Sequence, residues 1–199
     1  MLQTAPDQLA LATRDGLPDD LLQLRNKYPR DVWPGHANLG DWVQFWLDRH
    51  RMFRELGAML TDACEQLQGA RIGIAEFEPW FTPRLEFFFG HLDLHHKIEE
   101  FHLFPVFAKA EPVLEHGFAL LESDHQAIHA LVDTMQEAAT RLLADTSADA
   151  DKDRTRRAGD DTARALAALV RGLYAHLDDE EDLIVPIVLD HTEAKLGLV

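Results

Sequence analysis

Cysteine is nearly absent from this sequence. Cys64 is the only cysteine among 199 residues, so a disulfide framework, a cysteine zinc site and an iron–sulfur cluster held by this chain alone are excluded. Basic residues are also few: 19 lysines and arginines stand against 35 aspartates and glutamates, which gives a formal net charge of -16. Because nucleic acids and anionic membranes are bound through basic faces, this charge argues against both as partners.

Long apolar runs are missing as well. No segment reaches the roughly 18 consecutive apolar residues that indicate a membrane-spanning helix. The first residues, MLQTAPDQLA, also lack the basic and apolar regions of a signal peptide. We therefore expect a cytoplasmic protein with no membrane partner, and its length fits one domain with a full core.

Apolar residues recur at the three- and four-residue spacing of helices, and no segment shows convincing strand alternation. On the second helix this spacing predicts that Phe87, Leu94, Ile98 and Phe101 face inward. The four predicted long helices cover residues 39–68, 79–110, 112–144 and 158–190.

Four long helices with short connections predict an all-α fold, an up-down-up-down four-helix bundle over residues 39–199. Residues 1–38, which contain several prolines, are predicted to form an N-terminal arm with a short helix near residues 17–28. The polar residues 145–153 are predicted to be a loop.

An internal repeat brings histidines and glutamates to the same spacing on two of these helices. The pattern H-x-x-x-E-E-x-x-x-x-P begins at His95 and again at His176. Residues four apart lie on one helix face, so His95 with Glu99, and His176 with Glu180, can point at a common site. The two preceding helices add one histidine each, His50 and His125.

Metal binding explains why two glutamates would face the interior of a bundle. A buried carboxylate is costly unless it is paired or bound to a metal, and two facing carboxylates repel unless cations lie between them. Imidazole and carboxylate together suit iron, manganese or zinc. His129, four residues after His125, completes the predicted ligand set. That set is His50, His95, Glu99, His125, His129, His176 and Glu180.

Counting ligands indicates a site with one open position. If both glutamates and a solvent oxygen (an oxo or hydroxo bridge) join two metals, three histidines complete six-coordination at one metal. The remaining two histidines leave the other metal five-coordinate, and its open position can take O₂ or another small ligand.

The sequence leaves the roles of several neighbouring residues open. His96 and Glu100 form a second H-x-x-x-E one residue out of register, and the spacing to the proline favours His95 and Glu99 instead. Glu100 and Glu181 are then surface groups or groups that orient imidazoles. His91 and His102 are further candidates for a ligand or a proton relay, and a plain core role is the alternative.

These motifs resemble those of the hemerythrin family, including its bacterial HHE cation-binding members. The resemblance covers about residues 40–190 and rests on four motifs. They are D-R-H-R at His50, H-x-x-x-E-E-x-x-L-F-P from His95, D-H-x-x-x-H ending at His129, and H-x-x-x-E-E from His176.

The resemblance implies a four-helix bundle around two iron ions, for which zinc or manganese can substitute. His125, His129 and His176 would bind one iron and His50 and His95 the other, with Glu99 and Glu180 as bridges. Animal members have an aspartate five residues after the last-helix histidine, whereas Glu180 here is four residues after His176, as in the bacterial group.

The family offers two kinds of function for this chain. One is a binding protein that carries, stores or senses O₂, NO or a similar ligand, and a sensor would need a separate partner protein. The alternative is an enzyme-like iron redox role in nitrosative or oxidative stress, such as NO or peroxide handling or the repair of iron centres. A helical interaction domain with an empty or zinc-filled site is a third hypothesis. A ferritin-like site is disfavoured because Leu183 stands where the fourth helix would need histidine.

Overall fold

The structure, a computed structural model, describes residues 10–144 and 152–198. Every regular element in these two ranges is helical, so the predicted all-α helical bundle is confirmed. The α-helices are α1 (Gln23–Lys27), α2 (Asp41–Gln68), α3 (Ile74–Ile98), α4 (Phe104–Ala110), α5 (Glu115–Leu143), α6 (Lys152–His191) and α7 (Glu193–Leu196). A π-helical turn (Glu99–Leu103) joins α3 to α4, and 3₁₀ helices span Arg30–Gly35 and Pro112–Leu114.

The helix limits differ from the predicted ones in three places. The helix predicted over 79–110 begins earlier, at Ile74, and is divided by the π turn into α3 and α4. The last long helix begins at Lys152, inside the loop predicted over 145–153, and the rest of that loop lies outside the described residues. The short helix predicted near 17–28 is limited to α1. In the described parts of the chain, no helix is long and apolar enough to cross a membrane.

The chain divides into two compact units. The first comprises the described residues of 1–51, 95–126 and 174–199, and the second comprises those of 52–94 and 127–173. The first unit takes in the described part of the predicted N-terminal arm, together with segments of all four long helices. Every member of the two ligand groups described below belongs to this unit.

The core of the first unit is organised by an apolar run in α6. Residues 183–189 read LIVPIVL, and all seven are buried. A helix that is apolar on every side has to be covered on every side. Leu17, Leu21 and Trp33, which precede α2 in the chain, belong to the same core cluster. The arm is therefore part of the core.

The second unit has a core of aromatic and aliphatic side chains. Phe53 meets Phe88 edge to face at 5.8 Å, and Phe77 stacks on Phe81 at 4.4 Å between ring centroids. The buried α5 residues of this unit, Ile128, Met135, Ala138 and Leu142, follow helical spacing. Packing of this kind requires each helix to keep one face inward.

The predicted inward face of α3 is wrong. Phe87, Leu94, Ile98 and Phe101 are all substantially exposed, with Phe101 at 70%. The buried residues are Phe77, Phe81, Leu85, Phe88 and Leu92. Both sets keep helical spacing on the same stretch of chain, so periodicity alone could not distinguish the core face from its neighbour.

The N-terminus of α2 is capped by the side-chain carboxylate of Glu193, which belongs to α7. The backbone N–H of Val43 donates to Glu193 Oε1 at 2.9 Å, in the first turn, where helical N–H groups have no partner within the helix. A Cβ atom added at Gly40 would overlap the carboxylate of Glu193. Gly40 therefore leaves the space that this cap requires.

We expect Gly40→Ala to lower the free energy of unfolding by about 1–2 kcal/mol, because Glu193 must move and lose its bond to the helix N-terminus. Gly90→Ala is the matched control, since a Cβ there meets no atom within 4 Å. It should stabilise the protein by up to about 1 kcal/mol, as alanine does in place of glycine inside a helix. Urea unfolding followed by circular dichroism measures both, and equal effects of the two substitutions would contradict the capping role.

Candidate metal centre

The first unit buries six of the seven predicted ligands close together. His50 comes from α2, His95 from the end of α3, and Glu99 from the π turn. With Glu180 of α6 they form a group whose ligand atoms all lie within 4.8 Å of one another. The second group, with the same limit, contains His96 of α3, His125 of α5 and His176 of α6.

The two glutamates connect these groups. Glu99 Oε1 lies 3.0 Å from His95 Nε2, and Glu99 Oε2 lies 3.8 Å from His125 Nε2. Glu180 Oε2 lies 3.4 Å from His50 Nε2 and 3.7 Å from His176 Nε2. Each carboxylate thus approaches one imidazole of each group, as a ligand bridging two metal ions would.

His96 occupies the position that the sequence analysis predicted for His129. Its ring stacks on that of His125 at 3.9 Å with 6° between the planes. The Nε2 atoms of His125 and His176 are 3.2 Å apart, so these two imidazoles converge on the same point. The second group therefore contains three histidines, as predicted, but with His96 as its third member.

The π turn explains why proline spacing pointed away from His96. It lies between His96 and Pro105 and holds more residues per turn than an α-helix, whereas the corresponding part of α6 is regular α-helix. Counting back from Pro105 therefore reaches a different face than counting back from Pro186. Both His95 and His96 point into the site, which the repeat alone could not indicate.

His129 is exposed and lies outside both groups. The buried positions of α5 advance from Leu121 through Asp124 and His125 to Ile128, with steps of three or four residues. The next inward position after His125 is therefore Ile128, and His129 falls beyond the edge of the buried face. His91 packs against Phe87 at 4.0 Å, and His102 is exposed; neither belongs to a group.

Outer carboxylates fix the histidine rings. Glu181 Oε1 lies 3.0 Å from His50 Nδ1, and Glu100 Oε1 lies 2.8 Å from His125 Nδ1. A carboxylate at Nδ1 favours a proton on that nitrogen and leaves the Nε2 lone pair for a metal. The interpretation of Glu100 and Glu181 as groups that orient imidazoles is confirmed.

Trp46 is a member of the site that sequence analysis missed. Its indole Nε1 donates a hydrogen bond to Glu99 Oε1 at 2.8 Å, and its ring packs against His50 at 4.0 Å. Its position four residues before His50 was the available signal, because the two side chains share one face of α2. The indole both orients the carboxylate and covers one side of the site.

Burial favours the neutral form of two of the histidines, His50 and His125. Burial lowers the pKa of His50 to about 4, although Glu181 opposes this shift. Burial likewise lowers the pKa of His125 to about 3, and the neighbouring His176 adds to the effect. Neutral imidazole is the form that binds metal ions, so both rings are ready to do so at neutral pH.

The two glutamates share an unfavourable environment. Burial raises the pKa of Glu180 well above its usual range, and the adjacent Glu99 raises it further. Burial also acts to raise the pKa of Glu99, but His95, His50 and His125 outweigh it and lower the value to about 2. A cation between the carboxylates would remove their mutual repulsion.

The donor set fits a pair of metal ions. Among the described residues, no group donates a hydrogen bond to either carboxylate oxygen of Glu180 or to Glu99 Oε2, although all three atoms are buried. Buried polar atoms without partners are rare and costly, so their presence here indicates a ligand. Imidazole nitrogens and carboxylate oxygens together are the donors that iron, manganese and zinc accept.

A helical fold around buried groups of histidine and glutamate defines a cation-binding protein. A family model, the hemerythrin HHE cation-binding domain, matches residues 42–188. The chain therefore belongs to the hemerythrin family, as its motifs had indicated. A search of curated proteins and a search of solved structures found no match for this chain.

We expect His96→Ala to lower metal content and His129→Ala to leave it unchanged, since only His96 lies in the second group. Each variant is loaded with Fe²⁺ under anaerobic conditions and desalted, and its metal is measured by elemental analysis. Iron lost from the His129 variant and retained by the His96 variant would restore the assignment made from the sequence.

Glu180→Gln should stabilise the metal-free protein by about 2 kcal/mol, because it removes a carboxyl group whose ionised form is buried beside another carboxylate. The same change should weaken metal binding, since the amide is a poor ligand in place of a bridging carboxylate. The control is Glu122→Gln at an exposed position of α5, which should change stability by less than about 0.5 kcal/mol. Thermal unfolding with and without Fe²⁺ measures both effects, and a less stable metal-free Glu180→Gln protein would contradict the proposed repulsion.

Proposed function

We propose that this protein holds two iron ions at the candidate metal centre and binds O₂, NO or a related small ligand there, for carriage, storage or sensing. The observation that carries the proposal is the pair of glutamates shared by the two histidine groups. A site for a single ion would not need two buried carboxylates that each approach both groups. The family membership of the chain supports cation binding in general.

The number of ligands favours iron over zinc. With the shared glutamates, the first group offers two imidazoles and two carboxylates, and the second offers three imidazoles and the same two carboxylates. Zinc sites in proteins are mostly four-coordinate, so five protein ligands on one ion exceed what zinc prefers. The group with two histidines has one ligand fewer, and it is therefore the side on which a small ligand would bind.

The surroundings of the site favour binding over turnover. The candidate ligands are at most 8% exposed, and Trp46 and Phe104 pack against His50 and His125 at 4.0 and 5.6 Å. A site closed to water limits the delivery of protons and protects a bound ligand from side reactions. When bound, the iron pair would supply the electrons and the open position that such a ligand requires.

The first test is the visible spectrum of iron-loaded, reduced protein before air, after air and after degassing. We expect about two irons per chain, and a charge-transfer band that appears with air and disappears on degassing. Glu180→Gln protein, treated in the same way, is the control that should develop no such band.

Each alternative has its own outcome. A band that decays to a stable ferric spectrum would support the redox role in nitrosative or oxidative stress instead of reversible binding. Failure to take up iron, with normal folding, would contradict the proposal of a two-iron site.

A further inference from the structure

Two arginines from the chain ahead of α2 contact carboxylates next to the candidate metal ligands. The side chain of Arg14 is 3% exposed, and its Nη1 donates to Asp124 Oδ1 at 3.0 Å. The other oxygen of Asp124 lies 3.5 Å from His176 Nδ1, a longer contact than the 3.0 Å hydrogen bond between Glu181 Oε1 and His50 Nδ1, so Arg14 acts on His176 mainly through charge. Arg14 Nε also donates to Asp179 Oδ2 at 2.9 Å, so the guanidinium is held between two carboxylates.

Arg30 makes a similar connection to the first group. Its Nη1 donates to Glu181 Oε2 at 3.1 Å, and Glu181 Oε1 lies 3.0 Å from His50 Nδ1. Its Nε donates to Asp182 Oδ1 at 2.7 Å, and its Nη2 donates to the backbone oxygen of Asp178 at 2.8 Å. The guanidinium is therefore fixed on one face of α6.

The two connections end at different groups. The chain Arg14–Asp124–His176 reaches the group of three histidines, and the chain Arg30–Glu181–His50 reaches the group with two. Both arginines precede residue 42, where the family match begins. The part of this chain outside the matched domain thus contacts the outer carboxylate on each side of the site.

A carboxylate at Nδ1 draws the imidazole proton toward itself and makes Nε2 a stronger electron donor. An arginine on the same carboxylate competes for its negative charge, because charge-assisted hydrogen bonds to guanidinium are strong and directional. Arg14 and Arg30 should therefore make His176 and His50 weaker donors and favour the reduced state of a bound metal. Their positive charge acts in the same direction.

We propose that residues 10–38 tune the reduction potential of the metal centre through Arg14 and Arg30, which act as positioning residues for Asp124 and Glu181. This inference rests on the proposed two-iron site. The apolar packing of Leu17, Leu21 and Trp33 into the core holds the segment in place. The segment thus holds both arginines against the carboxylates that contact the two groups.

The test compares Arg14→Gln and Arg30→Gln with Lys27→Gln. Lys27→Gln is the matched control because it also removes one positive charge from the same segment. The partner of Lys27 on α6 is Asp190, which contacts no candidate ligand of the two groups. Each iron-loaded protein is titrated with redox mediators and followed by its absorption spectrum, and iron content is measured in parallel. We expect each arginine variant to shift the equilibrium toward ferric iron by about tenfold, a typical size for changes around metal ligands. Arg30→Lys should recover part of the shift.

A second readout uses Co²⁺ in place of iron. The exchangeable imidazole N–H protons of Co²⁺-bound histidines give shifted proton resonances, and a purely structural role would not move them one at a time. Arg30→Gln should move one such resonance and Arg14→Gln a different one, whereas Lys27→Gln should move none. If Arg14→Gln does not fold, Arg30→Gln, whose side chain is 38% exposed, carries the test alone.

The outcomes separate this inference from the proposed function. Wild-type protein that binds no iron would contradict the two-iron site itself. Arginine variants with normal iron content, potentials equal to that of Lys27→Gln and unchanged Co²⁺ spectra would overturn the tuning role and leave the two-iron site intact.

Discussion

The repulsion between two buried carboxylates, Glu99 and Glu180, is the constraint on which the rest of the site depends. Burying two such groups side by side is unfavourable, because burial and proximity both oppose their ionised forms. Burial also opposes a positive charge on His50 and His125, which limits how far these two rings can balance the carboxylates. A cation between the carboxylates would relieve this repulsion and allow both to be ionised, so metal binding would relax the interior.

Charge alternates outward from this centre. Imidazoles surround the two glutamates, acidic side chains contact the imidazoles, and arginines contact two of those acidic side chains. Each layer keeps the next one oriented, because a hydrogen-bonded carboxylate has little rotational freedom of its own. Only the outermost members, the arginines, come from the segment that also covers the apolar run of α6. Core packing and the electrostatics of the site are therefore coupled through one stretch of chain.

The sequence was sufficient to identify the helical fold, the family and six of the side chains that the site brings together. Those six were predictable because the doubled H-x-x-x-E pattern ties ligand positions to helix geometry, which is local.

The same local geometry led to wrong predictions where helical spacing fitted two faces equally well. On α3 and the π turn that follows it, two apolar stripes share one period, and the outer one, containing Leu94 and Phe101, was taken as the core face. His96 was passed over because of the π turn, and His129 was included because the sequence did not show which face of α5 is buried. Arg14 and Arg30 could not be inferred because their partners are distant in sequence, whereas the four-residue spacing of Trp46 and His50 was a signal that went unused.

The π turn has a consequence for the internal repeat. The chain appears in sequence as two equivalent helical hairpins, yet only one copy of the repeat has its helix widened by this turn. The widened copy presents two consecutive histidines to the site, and the regular copy presents one. The halves are therefore no longer interchangeable parts of a symmetric whole. The two copies of the repeat therefore differ at a single helical turn, and the two ligand groups differ in their number of histidines.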